Sequence, residues 1–257
     1  MRKRQPDEWR EAINFTKQNI NDVINTAVLK LYNEGEVVDN PKWQSVKVTN
    51  NMYEVRNLFL EMKMPASKEA LASQTKADMP WSEDHFQERV AGHPRNPGKE
   101  YKNWPYYDHS KDNKRFRLQK FSHTYMERYW PPRGLAGVRY TAGDLNHLIE
   151  RLDNDLLTRQ AYFAVWHPED QVDRKKRVPC SLGYHFMVRN GKMDLTYHIR
   201  SCDVRRHFKN DIYLTIRLAQ WVAKRIKEKV NLGNLYMWIG SLHCWEAEKE
   251  MLKKGIV

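Results

Sequence analysis

Tyr184-His185-Phe186-Met187-Val188-Arg189, Asn190-Gly191 and Lys192-Met193-Asp194-Leu195-Thr196-Tyr197-His198-Ile199-Arg200 form the stretch on which the fold turns. Apolar and polar residues alternate on both sides of Asn-Gly, the dipeptide that most readily adopts the two left-handed positions of a tight hairpin turn. A two-stranded antiparallel unit is therefore expected over 184–200. Val178-Pro179-Cys180 stands just before it, Ser201-Cys202-Asp203 just after it, and Phe208-Lys209-Asn210-Asp211 a little further on. A thiol, a guanidinium and a carboxylate thus recur 20 residues apart (Cys180 to Arg200) and 11 apart (Arg200 to Asp211).

Outward from the hairpin, helical spacing dominates. Leu145, Leu148, Ile149 and Leu152 predict an amphipathic helix over 143–155, and further helices are expected over 211–229 and 245–254. Ala161–Trp166 reads as a buried strand and Leu235–Ile239 as another. Trp9, Ala12, Ile13, Ile20, Val23, Ile24, Ala27, Val28 and Leu31 mark a long N-terminal helix over 7–33, closed by Gly35. Residues 43–49 and 52–64 look extended. Prolines at 65, 80, 94, 97 and 105 give 65–118 the texture of an irregular excursion, with a short helix over 81–90 and Ser82 as its N-cap. The sum is an α+β fold with a mixed, largely antiparallel sheet, and a single domain over 1–257.

With 40% apolar and 30% charged residues the chain has the composition of a globular protein. It has no uninterrupted apolar run of about 18 residues, so no membrane partner is expected. Three cysteines give no disulfide framework, and Met1-Arg2-Lys3-Arg4-Gln5-Pro6 has no apolar region behind it, so a reducing cytoplasm is the expected setting. The net charge of +12 is scattered, apart from Arg174-Lys175-Lys176-Arg177 before Cys180. That favours a basic surface around an anion-binding site over a nucleic-acid protein, and nucleic acid is not required. Cys180, Cys202 and Cys244 lack metal-ligand spacing, so no metal is expected.

Taken alone, each chemical residue keeps two readings. Cys180 is a nucleophile whose pKa the basic run lowers, or an inert buried thiol. Arg200 with Ser201 is a phosphate clamp, or a surface arginine paired with Asp203. Asp211 reads a base, or caps the following helix.

Pro-Cys, the hairpin and Arg-Ser-x-Asp together resemble the thymidylate synthase family. Phe-Lys-Asn-Asp and Gly240-Ser241-Leu242-His243 look like its deoxycytidylate hydroxymethylase branch, known from bacteriophages. The resemblance is good over about 143–254 and loose over 36–130. It implies a homodimer acting on a pyrimidine nucleoside monophosphate, with 5,10-methylenetetrahydrofolate as one-carbon donor. It implies that Cys180 adds to C6 of the base, that Arg200 and Ser201 grip the phosphate, and that Asp203 and Tyr125 join the catalytic group. Asp211 would select cytosine, because uracil-using relatives carry asparagine there. His243 and Trp245 would meet the sugar; the family has tyrosine at the latter position. Arg159 resembles one of an arginine pair lent to the neighbouring subunit, whose second member is Gln160 here. The family's glutamate is assigned to Glu83, with Glu88 and then Glu54 as alternatives, and the N-terminal phosphate loop has only Lys42 as a candidate. The chain ends at Val257 without the family's long tail over folate, so folate is implied and its contacts are not read from residues. The rivals are a deoxyuridylate-using synthase or hydroxymethylase, and a noncatalytic nucleotide- or nucleic-acid-binding protein.

Overall fold

A computed structural model describes residues 19–39, 42–43, 46–47, 50–107, 120–131, 144–171 and 177–254. Residues 7–18 of the expected first helix, Gly143, and Arg174, Lys175 and Lys176 lie outside the described residues, as does the side chain of Lys42. Six helices are described: α1 (Ile20–Glu34), α2 (Lys68–Thr75), α3 (Trp81–Arg89), α4 (Tyr125–Tyr129), α5 (Leu145–Asn154) and α6 (Phe208–Ala223). The strands are β1 (Glu36–Val38), β2 (Lys42–Trp43), β3 (Val46–Lys47), β4 (Met52–Lys63), β5 (Tyr162–Ala164), β6 (Ser181–Arg189), β7 (Lys192–Ile199), β8 (Cys202–Asp203) and β9 (Asn231–Trp245).

One sheet runs β1-β4-β9-β7-β6-β5, with β8 also on β9, while β2 and β3 pair separately. All its pairings are antiparallel except β7 and β8 on β9, which makes the sheet mixed. Its spine is β4 against β9, in register from Met52↔Trp245 to Lys63↔Asn234. The turn between β6 and β7 has Asn190 at φ 51° and Gly191 at φ 69°, the paired left-handed geometry that Asn-Gly predicts.

Period-two burial defines the inner face. Leu58, Leu60, Met62, Phe186, Val188, Leu195, Tyr197, Met237 and Ile239 are all buried. α1 contributes Ile20, Val23, Ile24, Ala27, Val28 and Leu31, and α6 contributes Ile212, Ile216, Leu218 and Ala219. Each such aliphatic side chain removed from water contributes about 1.5–3 kcal/mol before entropy is counted. The alternate positions of the sheet are only half-buried or open: Tyr236, Trp238, His185 and His198 are half-buried, Phe59 is 37% exposed and Tyr162 48%.

Several boundaries differ from the sequence-based expectation. The stretch 65–118 holds α2 and a 3-10 turn over Glu100–Asn103 as well as α3. Ser67 caps α2 by accepting from the Ala70 N–H, a start signal obscured by the neighbouring prolines. Ser82 is not an N-cap. α3 starts after Pro80 without a side-chain cap, and the Ser82 hydroxyl donates to Asn210 instead. The strand at 161–166 shrinks to β5, an edge strand with alternating exposure. β9 runs on through Gly240-Ser241-Leu242-His243 to Trp245, and Glu246–Lys254 follows as 3-10 helix instead of α-helix. Among the described residues no helix is long and apolar enough to cross a membrane.

Candidate active site

The hairpin closes the 20-residue interval. Ser181 lies opposite Ile199, and the Arg200 N–H donates to the Cys180 carbonyl at 2.9 Å. β9 then pairs with β7 up to Ile199↔Ile239 and with β8 from Cys202↔Leu242, so Arg200-Ser201 forms a break between two segments on one continuous strand. Gly240 makes the break possible: a Cβ there would stand 2.7 Å from the Arg200 carbonyl oxygen, too close for any side chain. Arg200 leans onto the thiol-bearing segment, donating from Nε to the Pro179 carbonyl (3.0 Å) and from Nη2 to the Val178 carbonyl (3.2 Å). Among the described residues its Nη1 and the Ser201 hydroxyl have no hydrogen-bond partner, so both could meet an acceptor from outside.

Burial pushes the Cys180 thiol up; Arg200 and Arg177 pull it down, and Asp211 pushes it up again. The net direction is upward, opposite to the expectation from the basic run. Desolvation outweighs two nearby guanidinium groups, so the resting group is a thiol.

Asp211 stands in the first turn of α6. The helix starts at Phe208 with His207 as its N-cap, so Asp211 is not the cap; its N–H donates to the His207 carbonyl at 2.7 Å. The Cys202 thiol donates to Asp211 Oδ2 at 3.6 Å. Burial pushes this carboxyl up, while His207 and Arg89 hold it down. Beside it Asn210 fixes α6 on α3 with all four amide bonds used. Its Oδ1 accepts from the Asp78 N–H and the Ser82 hydroxyl, both at 2.9 Å, and its Nδ2 donates to Asp78 Oδ2 (2.8 Å) and the Arg206 carbonyl (3.3 Å).

Tyr125 reaches the thiol strand from α4, whose start is fixed by the reciprocal capping of Thr124 and Glu127. Its hydroxyl accepts from Ser181 Oγ at 3.1 Å, next to Cys180, and burial raises its pKa. His243 is buried in register with Asp203, and burial lowers its pKa, favouring a neutral ring. Trp245 ends β9, its N–H donating to Glu248 at 3.2 Å. Asp203 accepts from the backbone N–H groups of Arg205 and Arg206, and from Arg206 Nη1, each at 3.0 Å. Its carboxylate therefore shapes the turn leading into α6.

Glu83 and Glu88 are held by other partners, whereas Glu54 lies opposite His243 in the sheet register. Burial alone would raise Glu83, but hydrogen bonds from Arg217, Gln87 and Tyr213 hold it at about 2. Arg217 Nε and Nη2 both meet it at 2.8 Å and the Tyr213 hydroxyl at 2.7 Å, which makes Glu83 a brace between α3 and α6. Glu88 is likewise held at about 2 against its burial, by nearby His85 and by the Lys99 and Glu100 N–H groups. Glu54 accepts from the Ser241 hydroxyl. The stripe of α3 that turns towards Tyr125 and His207 carries His85 and Arg89 at helical spacing, a pattern present in the sequence and passed over there in favour of acids. Arg159 is exposed and stands apart from the thiol, its carbonyl 2.9 Å from His185 Nε2.

The loop after the 3-10 turn supplies a wall that sequence reading missed. Trp104 stacks on His207, with centroids 4.9 Å apart and planes 8° apart. Among the described residues its Nε1 and the Nδ1 of His85 are buried donor positions without a hydrogen-bond partner, although Glu88 Oε2 stands 3.7 Å from the latter. Such orphaned groups mark a place where a ligand or water belongs.

This architecture is that of the thymidylate synthases: the structure superposes on thermostable thymidylate synthase A from Bacillus subtilis with a TM-score of 0.62, over 93% of this chain and 84% of that one, at 16% identity. A family sequence model described as "Thymidylate synthase" matches residues 98–256. Two archaeal proteins, each named "Putative thymidylate synthase", are similar along most of their length. The one from Methanocaldococcus jannaschii is 22% identical, covering 82% of this chain and 81% of its own. The one from Methanosarcina mazei is 23% identical, covering 93% and 94%. The chain belongs to the thymidylate synthase family of one-carbon transferases.

Proposed function

We propose that this protein is a pyrimidine nucleotide C5-hydroxymethyltransferase that converts (d)CMP, with methylenetetrahydrofolate and water, to the 5-hydroxymethyl nucleotide. The observation that carries the reading is Asp211, a half-buried carboxylate on the first turn of α6 whose charge reaches the Cys180 thiol. Cytosine presents a donor, its 4-amino group, where uracil presents an acceptor, O4. A carboxylate there matches cytosine and leaves two acceptors facing each other with uracil. The names of the archaeal relatives point instead to a uridine nucleotide, which makes dUMP the competing substrate.

In this reading Arg200 Nη1 and the Ser201 hydroxyl take the 5′-phosphate, and His243 with Trp245 flanks the sugar. Cys180 loses its proton as substrate arrives and adds to C6, which makes C5 nucleophilic. After C5 has acquired the one-carbon unit and lost its proton, water adds to the exocyclic carbon and the Cys180–C6 bond breaks, restoring the thiol. Tyr125, hydrogen-bonded to Ser181, fixes the strand that carries the thiol. The stacked Trp104 and His207, with the orphaned donors of Trp104 and His85, suit a flat heteroaromatic ring and would hold the folate, which when bound supplies the one-carbon unit.

The aromatic outer face of the sheet, with Phe59, Tyr162, Tyr236 and Trp238, is the surface through which two copies would join. Exposed Arg159 would then reach the neighbouring site. A cytoplasmic setting in a phage-infected host suits the branch resemblance. Incubation with each pyrimidine monophosphate and methylenetetrahydrofolate, followed by product mass, tests the function. A hydroxymethyl group gained by the cytidine nucleotide is expected; a methyl group gained by the uridine nucleotide overturns the proposal.

A further inference from the structure

The last residue of α3, Arg89, is a buried cation that makes no ion pair among the described residues. It is 6% exposed, and its guanidinium carbon stands 4.1 Å above the centre of the Tyr125 ring. Nε donates to His85 Nε2 at 3.0 Å, and the two terminal nitrogens donate to nothing among the described residues. The contrast is Arg217, also buried, whose fork is filled by Glu83. A guanidinium set inside the protein with its two terminal nitrogens unused offers them to a ligand that reaches the site. Arg89 is close to the chemistry: the Tyr125 hydroxyl at the far end of the ring below it bonds Ser181, the neighbour of Cys180. Asp211 and Arg89 also feel each other's charge, an acceptor and a donor of opposite sign.

We propose that Arg89 contacts the substrate, its terminal N–H groups donating to N3 and O2 of a neutral cytosine while Asp211 accepts from the 4-amino group. This rests on the cytidine reading above and adds its second half. A carboxylate alone meets only one end of the Watson–Crick edge of cytosine. A guanidinium supplies the donors that N3 and O2 require, and no proton need be placed on the base. Uracil meets the same pair badly at two points, O4 against the carboxylate and N3–H against the guanidinium. Donors at N3 and O2 also draw electron density from the ring, which favours addition of the thiol at C6.

The test compares dCMP and dUMP binding by calorimetry, and C5 hydrogen exchange in both, for the wild type, Arg89→Met and Arg89→Lys. Arg89→Met removes the charge at similar length, and its melting temperature measures whatever structural share the guanidinium has through His85 and the Tyr125 ring. The dCMP:dUMP preference should fall about ten- to a hundredfold in Arg89→Met, and in part in Arg89→Lys, which keeps the charge and loses the fork. A purely structural role would move the melting temperature and not this ratio. A folded variant with the wild-type ratio overturns the assignment. If Arg89→Met does not fold, Arg89→Lys alone carries the comparison; failure of both to fold assigns Arg89 to the scaffold and overturns it too. Wild-type protein that binds neither nucleotide overturns the cytidine reading and this one with it, whereas wild-type use of dCMP with an unmoved ratio overturns this one alone.

Discussion

Replacing Glu83 by glutamine separates a structural brace from a catalytic acid. The carboxylate takes four short hydrogen bonds: two from Arg217 at 2.8 Å, and one each from Tyr213 and Gln87 at 2.7 Å. Glutamine keeps the volume, cancels the charge and turns one oxygen into a donor that faces other donors. Holding a carboxyl at about 2 when its ordinary value is 4.5 is worth about 3.4 kcal/mol at neutral pH. The carboxylate side chain is 13% exposed, and solvent screening reduces the figure to about 2 kcal/mol. At about 2–4 °C per kcal/mol for a chain of this size, Glu83→Gln should melt about 4–8 °C below the wild type at pH 7. Because the native pKa is depressed, this stabilisation is complete above pH 4.5 and disappears as pH falls towards about 2, so the two melting curves should converge in acid. Calorimetry across that range checks the size and the direction. The folded variant should still exchange the C5 hydrogen of the nucleotide. A variant that melts with the wild type yet loses exchange would return Glu83 to the chemistry and refute the brace.

Cys180→Ser should abolish C5 hydrogen exchange and leave nucleotide binding measurable; exchange at a similar rate defeats the covalent route. Burial outweighs Arg200 and Arg177 at this thiol, so its alkylation by iodoacetamide in the free protein should follow a pH midpoint above that of an ordinary cysteine, and a midpoint below it contradicts the electrostatics of the site. Asp211→Asn swaps an acceptor for a donor and should shift relative use from the cytidine to the uridine nucleotide by about ten- to a hundredfold; equal ratios in both proteins rule out base reading by this residue. Phe59→Glu on the outer sheet face should shift a dimer towards monomer in sedimentation, and mixing inactive Arg159→Ala with inactive Cys180→Ala subunits should restore some activity if sites are shared. An unchanged sedimentation profile, or mixing that restores nothing, places the interface elsewhere.

What the sequence determined by itself is local or periodic. Asn190-Gly191 fixes a hairpin because few other dipeptides tolerate two positive φ angles, and that hairpin alone sets Cys180 beside Arg200. The stripe of α1 and the alternation along β4 were readable because burial repeats at the period of the backbone. Other features depend on contacts between distant segments, which no local pattern records. Glu83 and Arg217 are 134 residues apart, and only the packing of α3 on α6 shows that the acid is spent on the arginine. Ser82 looks like a helix cap until Asn210, 128 residues on, claims its hydroxyl. The thiol's pKa is the clearest case. The sequence shows the positive charges near Cys180, but desolvation depends on how much protein surrounds the sulfur, and that is set only when the sheet, α4 and α6 close around it.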